Sequence, residues 1–271
     1  MSAVDRWREQ LPGWGVPEHI LAQAAESPWG FPPDLMRRRG EAAASLAPSL
    51  SARRALEALP EGGSVLDVGV GGGAASLPLA SRAGRIAGVD GSEDMLAAFR
   101  EAAGAIEVQT VLGGWPEVAA EAEPADVVVC HHVLYNVPEL EPFVRALGGR
   151  ARRRVVIELT ERHPLAWMSD LWARFHGLQR PDGPTATDAA GAIAELGFPV
   201  HHETETRRPS ASGFVRREDA VSLVRRRLCL PPERDPEVAE TLGDRLAERD
   251  GLWSAGPAEQ TVATLWWDAR A

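Results

Sequence analysis

The residues best suited to chemistry lie at positions 65–80, VLDVGVGGGAASLPLA, where one acidic side chain precedes a cluster of glycines. Asp67 stands two residues before Gly69, and Gly71 and Gly73 follow. Glycines let the backbone pass close to a ligand where a Cβ would collide. We expect a strand before them and a helix after them, whose first turn offers free N–H groups to a nucleotide-type ligand. Asp67 then lies near the carboxyl end of the strand, where open α/β sheets bind ligands.

Two ligand classes use such a turn. Gly69, Gly71 and Ala74 satisfy a loose G-x-G-x-x-A pattern, which is typical of dinucleotide binding. Asp67 favours another ligand, because its carboxylate would repel a pyrophosphate and attract an ammonium group. S-adenosylmethionine (SAM) carries an ammonium group and a sulfonium. The segment resembles the first motif of the class I SAM-dependent methyltransferases, an acidic residue followed by G-x-G-x-G.

The resemblance continues into the next strand. Asp90 ends RIAGVD about twenty residues after the glycines, where an acidic side chain accepts from ribose hydroxyls. In the family a hydrophobe follows under the adenine, and here it is Met95. No carboxylate stands after the third strand, so the backbone N–H groups of Gly114 and Trp115 are the candidate adenine contacts, with the Trp115 indole packed on the ring and Glu117 a weaker candidate.

The fourth strand, ADVVVC, is followed by His131, His132 and Tyr135, where the family brings cofactor and acceptor together. The resemblance implies that the backbone at Cys130 and His131 lies against the methionine part of SAM. Neighbouring side chains of an extended segment point to opposite faces, so we expect one histidine at most to face the site. Tyr135 is the candidate substrate contact.

Methyl transfer from a sulfonium is an in-line displacement that chiefly needs alignment and exclusion of water. A neutral hydroxyl acceptor also benefits from a base. The candidate bases are His131, His132, Glu158, His163 and His176. Glu158 ends the fifth strand among apolar residues, where an unpaired carboxylate would be costly, so it has either a function or an arginine partner. We assign the catalytic set as His131, His132, Glu158 and Tyr135, without a metal.

Strands and helices alternate from Ser64 onward, as in a parallel sheet with right-handed crossovers. Strands are predicted at about 64–68, 85–90, 106–111, 125–130 and 153–159, with two more at about 200–207 and 261–268. Helices are predicted between them, including one starting at Ser92 and two near 217–229 and 235–249. The resemblance implies a Rossmann-like, doubly wound, mostly parallel seven-stranded sheet with an antiparallel last strand.

The remaining segments are predicted to cover this sheet. Residues 1–50 are expected to form an N-terminal helical cap, because Trp7, Trp14 and Trp29 need a surface to pack on. Residues 51–271 would then be the methyltransferase domain, with a helical lid near 161–186 and a helical insertion near 209–258. An aromatic lid over the substrate is a hypothesis that rests on a group of side chains at helical spacing: Trp167, Trp172, Arg174 and Phe175.

Composition narrows the class of partner. A formal charge of −10 disfavours a nucleic-acid substrate, and the two cysteines show no C-x-x-C spacing. Without a secretory signal or membrane-length run, we expect a cytoplasmic protein that methylates a small molecule at O, N or C, with a homodimer among the expected assemblies. Two alternatives stay open at this stage, an NAD(P)-dependent oxidoreductase and a non-catalytic SAM-binding protein.

Overall fold

The chain folds around one seven-stranded sheet in a computed structural model that describes residues 1–29, 33–45, 47–208 and 213–269. The order is β3-β2-β1-β4-β5-β9-β6, and β9 runs antiparallel to both of its neighbours. All seven strands lie where the sequence predicts them, which confirms the Rossmann-like fold. They are β1 (Gly63–Val68), β2 (Ala83–Asp90), β3 (Val108–Leu112), β4 (Ala125–His131), β5 (Ala151–Thr160), β6 (His201–Arg207) and β9 (Gln260–Asp268).

Ten α-helices flank the sheet in the described part of the chain. Several begin at the capping residues that their sequences supply: Ser92 accepts from the Met95 N–H, and Thr185 forms a reciprocal capping box with Asp188. The helices are α1 (Ala3–Gln10), α2 (Glu18–Leu21), α3 (Pro33–Ser45), α4 (Leu50–Ala58), α5 (Glu93–Ala103), α6 (Leu140–Arg150), α7 (Ser169–His176), α8 (Ala186–Glu195), α9 (Arg217–Arg227) and α10 (Asp235–Leu242).

Three apolar cores hold these layers together. One face of the sheet packs on α1, α6 and α8, and the other packs on α4 and α5. A third core joins α2, α7, α9 and α10, so the segment from Arg217 onward forms a helical layer with the N-terminal residues. Trp7 and Trp14 anchor the N-terminal residues, because their indole N–H groups donate to the carbonyls of Val137 and Gly183 at 2.8 Å each. Trp29, by contrast, is exposed.

Two helix predictions are wrong. No α-helix follows the glycine turn: turns and a short 3₁₀ helix (Leu77–Leu79) fill the space before β2, because only nine residues separate Gly73 from Ala83. The helix predicted to reach position 249 ends at Leu242. Strands β7 (Leu246–Arg249) and β8 (Leu252–Ala255) follow, joined by Asp250 and Gly251, which both have positive φ. The first residues of the expected insertion, 209–212, lie outside the described residues.

A membrane-spanning helix and a metal-binding cluster are both absent from the described residues. None of their helices has both the length and the apolar character needed to cross a bilayer. No group of three or more histidine, cysteine, aspartate or glutamate side chains among them is arranged to hold a metal ion.

Candidate active site

The glycine turn after β1 has a backbone that favours glycine at three positions. Gly69, Gly71 and Gly73 have φ values of 75°, 51° and 82°. The N–H groups of Gly69 and Val70 both donate to the carbonyl of Val89, at 2.8 and 3.0 Å, which closes the turn against β2. With no α-helix behind it, the turn has no helix dipole, so only its own N–H groups and the side chains beside it are available to a ligand.

Asp67 is buried beneath this turn, with 1% of its surface exposed. Its Oδ2 accepts from the Ser76 hydroxyl at 2.6 Å, whereas Oδ1 is buried without a hydrogen-bond partner. Burial raises the pKa of Asp67 to about 7, and the nearby Asp90 carboxylate adds to the rise against the Ser76 hydrogen bond. A buried oxygen without a donor is costly, so a cationic ligand group at Oδ1 would complete the site. The residues present therefore fit the ammonium of SAM.

Asp90 joins the turn to the helix that follows β2. Its Oδ2 accepts from the Gly71 N–H and its Oδ1 from the Ser92 N–H, both at 3.0 Å. This places the carboxylate at the carboxyl end of β2, beside the glycine turn, as the sequence indicates for a ribose contact. Met95 is half-buried on the first turn of α5, whereas Leu96 of that helix is fully buried.

The residues that follow β3 also lie at the carboxyl edge of the sheet, next to Asp90. Gly113 donates its N–H to the carbonyl of Asp90 at 3.0 Å, which brings Gly114 and Trp115 to the carboxyl side of the sheet. The Trp115 indole packs on the core and its N–H lies 3.3 Å from the Phe143 carbonyl. The indole is therefore braced against α6, and its contact with adenine stays a prediction, as does that of Gly114.

Helix α3 lies directly on the glycine turn, which the sequence reasoning missed. A Cβ on Gly72 would come within 2.1 Å of the Met36 carbonyl oxygen, and one on Gly40 within 1.8 Å of the Gly72 oxygen. The Met36 methyl group also lies 3.1 Å from the position of a Cβ on Gly71. The two backbones can approach this closely because Gly40 of the helix and Gly72 of the turn have no Cβ. These two glycines are the signal that the sequence offers for the contact.

The end of β4 places its residues on different sides. Cys130 is buried in the core shared with α6, and burial raises the pKa of its thiol well above the ordinary value. His131 lies beside Glu158 in the β4–β5 ladder, and its Nε2 is buried without a partner. Burial lowers the pKa of His131 to about 4, so its ring is neutral near pH 7. At His132 the backbone has φ 58°, which ends the strand and its alternation.

Glu158 is the most fully partnered acid of the site, with 3% of its surface exposed. Its Oε1 lies 3.2 Å from His132 Nε2 and accepts from Arg207, which also donates to Oε2 at 3.2 Å. Ser51 donates to Oε2 at 2.6 Å. Burial alone would raise the pKa of Glu158, but His131, His132 and Arg207 together hold it well below its usual range. Glu158 is therefore ionised, and the arginine partner that the sequence indicates as one explanation is Arg207.

Tyr135 lies beside the pair formed by His132 and Glu158. Its hydroxyl lies 2.6 Å from Thr160 Oγ1 and accepts from the Thr160 N–H, while His132 Nδ1 is 3.4 Å from the same oxygen. Burial raises the pKa of Tyr135, so the phenol stays protonated. The His163 ring meets Tyr135 edge-on at 5.4 Å and stacks on Trp14 at 4.1 Å. A row of rings thus runs from the N-terminal segment to His132.

Among the five candidate bases, His132 is distinguished by its surroundings. Burial and Arg180 lower the pKa of His163 to about 3, and His176 Nε2 lies 2.6 Å from the Leu228 carbonyl in the third core. The His132 side chain is 44% exposed and contacts a carboxylate. The residues expected to form a lid are partly core, because Trp172 is buried and contacts both His176 and Arg180.

Comparison with known proteins agrees with this geometry. Residues 66–152 match a family model described as a methyltransferase domain. A curated relative, the ubiquinone biosynthesis O-methyltransferase of Idiomarina loihiensis, is 31% identical over 125 residues, which are 43% of this chain and 50% of the relative. The chain thus spans about half the length of the curated relative that it matches.

Solved structures share the fold at low identity. A putative methyltransferase from Bacillus halodurans has a TM-score of 0.51 and 16% identity, over 82% of this chain and 99% of that one. The YcgJ protein from Bacillus subtilis has a TM-score of 0.50 and 13% identity, over 82% of this chain and 98% of that one. Together, the family model, the curated relative and the shared fold support a class I SAM-dependent methyltransferase domain, with the family match lying at residues 66–152.

Proposed function

We propose that the protein is an enzyme that binds SAM and methylates a hydroxyl group of a small molecule. Asp67 would hold the ammonium of the donor at Oδ1, and Asp90 would accept from the ribose hydroxyls. Both carboxylates lie at the carboxyl edge of the sheet beside the same glycine turn. When bound, the donor would supply an electrophilic methyl group.

The observation that carries the choice of acceptor is the pair formed by His132 and the buried, ionised Glu158. A carboxylate accepts from the Nε2–H of His132, and Nδ1 is then the ring nitrogen that can accept a proton. Nδ1 points towards the Tyr135 hydroxyl, whose own proton is donated to Thr160 Oγ1, since that threonine hydroxyl donates to the Arg162 carbonyl. His132 thus has the geometry of a base oriented by a carboxylate.

In this mechanism His132 Nδ1 would take the proton of the acceptor hydroxyl. The acceptor oxygen would bond to the methyl carbon as the bond from that carbon to the donor sulfur breaks, leaving the sulfur neutral. Glu158 stabilises the imidazolium that forms, without taking the proton itself. Asp67 and Asp90 fix the donor, and the row of rings ending at Tyr135 restricts the motion of the His132 ring. A positioned base of this kind typically contributes 10²- to 10⁴-fold to a rate.

The test is transfer of tritium from methyl-labelled SAM to phenol and catechol, which are simple hydroxyl acceptors, and to a small-molecule extract. We expect a labelled product with the parent protein and a loss of about 10²-fold or more with His132→Gln. His202→Gln is the matched control, because His202 lies 3.8 Å from Glu161 in a second histidine–glutamate pair outside the site. Equal losses in both variants would remove His132 from the mechanism.

The two alternatives are separated by binding and turnover. A thermal shift with NADH and none with SAM would favour the oxidoreductase, which Asp67 disfavours. Cofactor binding without labelling of any small molecule would favour a non-catalytic SAM-binding protein.

Location and assembly are further parts of the proposal. We infer a cytoplasmic protein that does not bind nucleic acid, supported by two free cysteines and a net charge of −10. A homodimer stays a prediction that light scattering after size-exclusion chromatography can test.

A further inference from the structure

We propose that Ser51 and Arg207 are positioning residues, which hold Glu158 in the one orientation that directs Oε1 towards His132. The proposal rests on the proposed role of His132. It adds that the base is controlled from two elements distant in sequence, the first turn of α4 and the end of β6.

The hydrogen bonds of Glu158 leave little freedom for its carboxylate. Arg207 spans both oxygens, while Ser51 donates to Oε2 at 2.6 Å, so only Oε1 keeps a lone pair for His132 at 3.2 Å. A bidentate arginine fixes the plane of a carboxylate as well as its charge. Without these donors the carboxylate would be held less firmly, and water could reach the proton that it shares with His132.

Ser51 is free for this role because its neighbour caps the helix. Ser49 is the N-cap of α4 and accepts from the Ala52 N–H, whereas Ser51, two residues later in the first turn, is fully buried and donates to Glu158. The two hydroxyl oxygens lie 2.8 Å apart. The Ser51 hydroxyl can therefore accept from Ser49 while it donates its proton to the carboxylate.

Arg207 reaches Glu158 across a strand. Strand β9 lies between β5 and β6, and Thr264 of β9 is the ladder partner of both Glu158 and Glu203. Arg207, at the end of β6, thus reaches a carboxylate two strands away in the sheet. In the described part of the chain, three ionisable groups face Glu158: His131 at the end of β4, His132 directly after it, and Arg207 of β6. Glu205 in turn contacts Arg207 at 3.3 Å.

Docking of α4 on β6 does not need these contacts. Arg54 of α4 donates from Nη2 to both carboxylate oxygens of Glu203 in β6, at 2.7 and 2.8 Å, and its guanidinium lies over the Trp266 ring. Arg54→Gln therefore weakens the same two elements without touching Glu158. It is the matched control for a purely structural role of Arg207.

The test follows the His132 ring by nitrogen-detected NMR titration in full-length protein saturated with S-adenosylhomocysteine, with His132→Gln assigning the signal. Arg207→Gln removes a positive charge beside the pair, so we expect His132 to bind its proton about 3- to 10-fold more tightly. Arg207→Lys should restore most of the parent curve. In Ser51→Ala we expect faster exchange of the Nε2 proton with water, because Glu158 is less well held.

Unchanged His132 curves in Arg207→Gln and unchanged exchange in Ser51→Ala would overturn the proposal, and so would an equal shift in Arg54→Gln. If Arg207→Gln fails to fold, the lysine and serine variants still decide. Coupling of Arg207 to His132 in a protein that labels no acceptor would contradict the proposed function alone. Hydroxyl methylation without such coupling would contradict this inference alone.

Discussion

Replacing Asp67 by asparagine should stabilise the ligand-free protein at high pH and not at low pH. Burial raises the pKa of Asp67 from 3.8 to about 7. The folded state therefore binds a proton that the unfolded state releases, and the stability that this proton gives is lost as pH rises through about 7. Asparagine has no such proton, and its side-chain oxygen can still accept from Ser76.

The size of the effect follows from the two pKa values. Above pH 7 the raised pKa of Asp67 lowers the free energy of unfolding by about 4 kcal/mol relative to its value with Asp67 protonated. Within an accessible range, the stability of the parent relative to Asp67→Asn should fall by about 2.5 kcal/mol between pH 5 and pH 8. A buried unpaired amide N–H would cost about 1–3 kcal/mol, but this cost is constant with pH and leaves the slope unchanged.

Urea unfolding of both proteins at half-unit pH steps, without ligand, measures this difference directly. Ser92→Ala is a useful control, because it removes a capping hydroxyl near the same site and should shift stability by a pH-independent amount. A parent-to-variant difference constant to within about 0.5 kcal/mol from pH 5 to 8 would refute the burial argument for Asp67.

Three further outcomes are expected. The affinity for S-adenosylhomocysteine, measured by calorimetry, should rise about tenfold per pH unit up to about pH 7 and then level off, because Asp67 must ionise to pair with the ammonium. Asp67→Asn should bind weakly, with an affinity that does not change with pH. Gly72→Ala should push α3 away from the turn, which should lower the free energy of unfolding by about 1–3 kcal/mol and speed proteolysis of that helix. Gly91→Ala should do neither, because a Cβ there meets nothing within 4 Å. Trp14→Phe keeps a ring on His163 but loses the bond to the Gly183 carbonyl, so urea unfolding should show a loss of about 1 kcal/mol.

The sequence was most informative about the sheet and the cofactor edge. Buried parallel strands are continuous apolar runs, so ADVVVC and RRRVVIELT predict their own strands and place Glu158 at a strand end. The position of Asp67 relative to the glycines also follows from local sequence. These features depend on residues close together in the chain.

The missed features depend on local turns or on distant partners. The hairpin of β7 and β8 has a local signal in the sequence, because Asp250-Gly251 is a pair that favours a tight turn between strands. Contact of α3 with Gly72 and of Arg207 with Glu158 joins residues far apart in sequence, and no single segment encodes either. The choice of His132 over His131 required the left-handed backbone after β4, which an extended-strand rule does not foresee.

The position of β9 between β5 and β6 makes the site a late product of synthesis. While β9 is still inside the ribosome, β5 has no partner on that side and β6 has no place in the sheet. A nascent chain can therefore hold the glycine turn complete while Glu158 still lacks its Arg207 partner. The candidate donor residues can thus assemble before Glu158 gains its last donor, and a chain cut short before Gln260 should keep Asp67 and Asp90 in place and lose only the Arg207 contact.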